Sequence, residues 1–93
     1  MKLEIFSVYD GAVKAYLQPF FSRSKGEAIR SFTDAVNDEK SQFNKHAADY
    51  CLVYLGAYDD AVGTFAPVTP ERILTAQDAQ HDDVFPPEKR LPM

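Results

Sequence analysis

Along residues 2–9, KLEIFSVY, apolar and aromatic side chains fall on both faces of an alternating pattern, with Leu3 and Ile5 on one and Phe6 and Val8 on the other. Such a run predicts a strand, and Asp10-Gly11 behind it is a turn signal. The strand is therefore expected at the centre of its sheet. Residues 14–21, KAYLQPFF, predict a second strand. Pro19 has no amide to give to a ladder, so this strand is expected to lie at an edge or to stop there.

The periodicity then changes from two to between three and four. Ile29, Phe32 and Val36 recur at helical spacing with Ala28 and Ala35 beside them, which makes one apolar stripe. Ser24-Lys25-Gly26-Glu27 precedes the stripe with the S-x-x-E spacing of a capping box, in which hydroxyl and carboxylate both satisfy free amides at a helix start. The helix is predicted over about 25–37, with Arg30 and Asp34 as a supporting pair on its polar face.

Residues 38–49 are polar and irregular, with Phe43 as an anchor onto the core. A third strand is predicted over 50–57, then a loop at 58–63 closed by Gly63, then a short fourth strand over 64–68. From Thr69 the pattern is lost and Pro70, Pro86, Pro87 and Pro92 punctuate a polar, acidic stretch. Residues 71–80 have room for a helical turn or two, and 81–93 read as a tail. The expectation is an α+β domain over 1–68, a small antiparallel sheet in the order strand-strand-helix-strand-strand with the amphipathic helix packed on one face. Residues 69–93 are expected to be a partly disordered extension.

Charge sharpens this picture. The net charge of −4 is unevenly spread: residues 46–93 carry three basic side chains against eight acids, whereas residues 11–33 carry four against Glu27 alone. No apolar run approaches the roughly 20 residues that span a bilayer, so no membrane partner is expected. Cys51 is the sole cysteine and falls in a predicted strand, where a core position is expected rather than a nucleophile. His46 and His81 lack ligand-spaced partners, and the four glycines form no phosphate-binding loop. Neither a metal, a cofactor nor an enzymatic activity is expected.

One cluster carries candidate chemistry. Lys14, Arg23, Lys25 and Arg30 interleave with Tyr16, Phe20, Phe21 and Phe32. Unpaired nucleic acid needs rings on which to stack its bases and cations to meet its phosphates. Lys14, Tyr16, Phe20, Arg23, Lys25 and Arg30 are therefore the candidate nucleic-acid-binding residues. A domain of this size must also draw its core from these aromatics, so at least half of them are expected to be buried.

The stretches MKLEIFSVYD (1–10), PFFSRSKGEAIRSFTDAVND (19–38), DY (49–50) and LGAYDDAVG (55–63) resemble, in order, the small nonstructural protein of the gokushovirus branch of the microviruses. These are icosahedral phages with circular single-stranded DNA genomes. The resemblance covers about residues 1–66 and does not extend past Val68. It implies a phage protein of the bacterial host cytoplasm that is not part of the virion. It further implies a role in viral genome synthesis or packaging, exercised by binding single-stranded DNA. The alternative is a non-enzymatic adaptor that contacts phage or host replication or assembly proteins, which the acidic balance favours. In either case so short a chain leaves sheet edges and apolar faces that a homodimer would cover.

Overall fold

In a computed structural model, which describes residues 1–81, all the strands join one antiparallel sheet. The elements run β1 (Lys2–Asp10), β2 (Ala15–Tyr16), β3 (Phe20–Ser22), α1 (Lys25–Val36), α2 (Gln42–Lys45), a 3-10 turn (Ala47–Asp49), β4 (Tyr50–Asp59), β5 (Thr64–Thr75) and α3 (Ala76–His81). The α+β class and the position of the helix between two strand pairs are as expected. β1 is central, with β2 and β3 on one side and β4 then β5 on the other. No helix among the described residues is long and apolar enough to cross a membrane.

The predicted second strand is two short ones. Tyr16 lies opposite Tyr9, but Phe20 lies opposite Phe6, so four steps on this strand match three on β1. The extra residue is a bulge over Leu17-Gln18-Pro19, where proline withholds a ladder donor. Ser7, fully buried, bridges the gap by donating from its hydroxyl to the Leu17 carbonyl at 2.6 Å.

Helix α1 starts where the cap places it. The Ser24 hydroxyl accepts from the Glu27 amide at 3.1 Å. The reciprocal half of the box is absent, because the Glu27 carboxylate turns to the Arg23 guanidinium at 3.2 Å instead. The Arg30–Asp34 pair expected on the polar face does not form an ion pair among the described residues. Ala28, Phe32 and Val36 turn inward onto Phe6, Val8 and Leu52, and Phe43 packs at 5.9 Å from the Phe32 ring. Ser24→Ala is expected to cost about 1 kcal/mol, the usual worth of an N-cap, read as a lowered midpoint in a thermal melt.

The largest departure from expectation lies after Val68. β5 continues to Thr75, and α3 follows directly with Ala76 and Ala79 fully buried against α1. A boundary at 68 thus falls inside a strand. Edge strands tolerate proline, which is how Pro67 and Pro70 come to lie in β5. Side-chain amides fix α3 in place: Asn37 Nδ2 donates to the Ala79 carbonyl at 3.4 Å, and Gln80 Nε2 to the Asn44 carbonyl at 2.9 Å. The rest of the expected extension, residues 82–93, lies outside the described residues.

Candidate nucleic-acid interface

All the helices that meet the core pack on one face of the sheet, the face of Phe6, Val8, Phe20, Leu52 and Tyr54. Strand alternation sends their neighbours to the other face. The register places Leu3, Ile5, Ser7 and Tyr9 there from β1, with Tyr16 and Phe21 opposite Tyr9 and Ile5. It adds Cys51, Val53, Gly56 and Tyr58 from β4, and Phe65, Pro67 and Arg72 from β5. None of these positions is acidic, in a chain whose net charge is −4. The only charged group among them is Arg72.

Bulges set this face. β4 slips against both of its neighbours near Leu55, so that Tyr54 points to the helices while Gly56 and Tyr58 point away. The same irregularity divides the open face into two halves. In one half the Tyr9 and Tyr16 rings meet edge to face at 4.9 Å. They form, with Val53, Pro70 and Arg72, a groove of about 420 Å³. In the other half Tyr58 stands between Phe21, at 5.5 Å, and Phe65, at 4.8 Å. Tyr16 remains 47% exposed, so a face of its ring is available for stacking.

The six residues expected from sequence do not form one surface. Tyr16 lines the groove, and Lys14 stands two residues before it in the turn that leads into β2, with a left-handed backbone (φ 57°). Phe20 is on the helix side, stacked 6.0 Å from Phe6, because the extra residue in its strand reverses the side-chain alternation. Lys25 lies 5.8 Å from the centre of the Tyr54 ring, also on the helix side. Arg23 is held by Glu27, and Arg23, Glu27, Arg30 and Asp34 share one shallow surface on which two cations meet two carboxylates. Of the four aromatics in the segment, Phe32 is buried and Phe20 packs against the core, while Tyr16 and Phe21 are exposed.

The sequence reading missed Tyr9, Arg72 and Pro70, which complete the groove. Arg72 falls in the stretch after Val68 where an extension is expected, and only the length of β5 brings it opposite Val53. The Tyr54 hydroxyl donates to Glu4 Oε1 at 2.6 Å, and this bond raises the phenol above its usual range. Burial pushes the Cys51 thiol up, in keeping with its buried position within the sheet.

The family model described as Phage ORF5 protein matches residues 3–79, nearly all of the described chain. The chain belongs to the phage ORF5 protein family. Protein ORF5 of Chlamydia phage 1 is 35% identical over 72 residues, covering 73% of this chain and 75% of its relative. The resemblance to the gokushovirus protein is thereby borne out. The family match also runs past residue 66, through β5 and into α3, so the segment after Val68 is part of what ORF5-type proteins share. No solved structure matches the chain.

Proposed function

We propose that this phage accessory protein binds single-stranded DNA in the Tyr9–Tyr16–Arg72 groove during viral genome synthesis or packaging in the host cytoplasm, without catalysis. The groove itself is the observation that carries this reading. It joins the exposed Tyr16 ring and the half-buried Tyr9 ring to a guanidinium on an otherwise uncharged floor, on the one sheet face that the acids avoid. Bases stack on such rings whatever their identity, and arginine both stacks and meets phosphate. Support also comes from the family, whose resemblance to microvirus proteins points to single-stranded genomes. With few cations at hand, stacking is the main source of affinity, and little sequence preference is expected.

Fluorescence polarisation with single- and double-stranded oligonucleotides across a salt series tests this. Binding is expected for the single strand and to be much weaker for the duplex, whose bases are covered. Tyr16→Ala should weaken binding by about 1–3 kcal/mol with the salt slope unchanged, since stacking releases no ions. Arg72→Gln should lessen the slope by about 0.7, the share of one phosphate contact on a single strand. Absence of binding at low salt would give first place to the adaptor reading, in which the same face receives a protein.

A further inference from the structure

The half of the open face beyond the Leu55–Gly56 bulge takes no part in the groove. There Phe21, Tyr58 and Phe65 make one row flanked by Leu3, Ile5 and Pro67, and no position that the register places in this half is charged. Phe65 is 63% exposed and Phe21 49%. A continuous apolar patch of this kind marks an association surface. A nucleic-acid strand is a poor occupant, because the row offers no cation to its phosphates. Association through the sheet edges is also disfavoured. β5, at one edge, carries Pro67 and Pro70, and the other edge is interrupted at Pro19. Each proline removes a donor that an added strand would need.

The row is close to its own mirror in chemistry and spacing. Tyr58 is central, with a phenylalanine on either side at 5.5 and 4.8 Å. A two-fold axis along β4 through Tyr58 lays Phe21 of one copy over Phe65 of the next, and Tyr58 over Tyr58. An isologous interface requires this kind of self-complementarity. We propose that a second copy of this chain covers the Phe21–Tyr58–Phe65 row, giving a face-to-face homodimer. Two such rows with their flanking residues hide on the order of 1,000 Å², at the lower bound of specific interfaces. Tyr9, Tyr16 and Arg72 lie on the far side of the bulge and stay uncovered, so the dimer carries two grooves. The dimer itself does not depend on what those grooves bind.

Sedimentation velocity on the full chain tests this. At tens of micromolar the wild-type protein is expected at twice the 10.5 kDa chain mass. Phe65→Arg and, separately, Phe21→Arg act on both subunits of the pair. Each should raise the dissociation constant about a hundredfold or more, as the loss of a central aromatic anchor does. Both side chains are exposed, so the circular dichroism of each variant should match the wild type. A wild-type monomer at that concentration overturns the proposal, as does a dimer that survives both substitutions with the fold intact. Oligonucleotide binding by a monomeric variant separates the two readings, since the groove is untouched in it.

Discussion

Gly56→Ala is expected to remove about 3 kcal/mol or more of stability, lowering the melting temperature by roughly 10 °C or more. Gly56 has φ 142°, a region that side-chain-bearing residues rarely enter. A Cβ built there meets the Ala66 carbonyl oxygen and stands 2.9 Å from Pro67 Cα. Those neighbours are backbone atoms of the paired strand, so no side chain can swing away to make room. The ladder between β4 and β5 has to open, and the bulge that β4 shares with β1 at the same level goes with it. Gly63 provides the control. It is also left-handed, at φ 72°, but a Cβ there meets nothing within 4 Å. Gly63→Ala should cost only the local conformational penalty of about 1–2 kcal/mol. Thermal melts showing equal losses for the two variants would contradict the role given to Gly56.

Phe6→Ala is expected to cost about 3–5 kcal/mol, the range for a buried phenylalanine reduced to a methyl group. Phe6 is fully buried beside the bulge that β4 makes at Leu55, with the Phe20 ring at 6.0 Å and the Tyr54 ring at 5.3 Å. It therefore joins β3, β1 and β4 on the side that receives α1. Small domains have about 5–15 kcal/mol in all, so a loss of this size takes much of the total. Urea denaturation measures it directly. A change below about 1 kcal/mol would show that the site collapses around the missing ring, against the packing described. Because Phe6 faces the helices, whatever remains folded should keep its groove.

The helix was legible because its signals are local. Ser24 caps an amide three residues on, and the stripe of Ala28, Phe32 and Val36 needs only helical geometry to find one face. The centrality of β1 was legible too, from apolar residues at both odd and even positions. The open face was not, and the reason is parity. From Tyr16 the period of two puts Phe20 on the open side, and one extra residue sends it to the core. From Tyr54 the same period puts Tyr58 with the helices, and the bulge at Leu55 sends it out. Arg72 is two residues from inward-facing Leu74, yet a slip between Leu52 and Val53 puts it on the open side. Each such slip moves every later side chain of its strand to the other face. Sequence alternation cannot register them, although Pro19 and Gly56 mark where two of them occur. The end of the domain was hidden for a different reason. Ala76 and Ala79 are a full helical step apart and wholly buried, but small side chains after two prolines give little signal of a core.

The proposed single-strand site is tested by ultraviolet cross-linking of an oligothymidine to the full-length chain, with any linked residues located by mass spectrometry. Cross-links at Tyr9, Tyr16 and the Pro70–Arg72 segment are expected, and they should vanish when unlabelled single strand is added in excess. Cross-links confined to the helix surface around Arg23 and Arg30, or none at all at low salt, would contradict a single-strand site on the open face of the sheet.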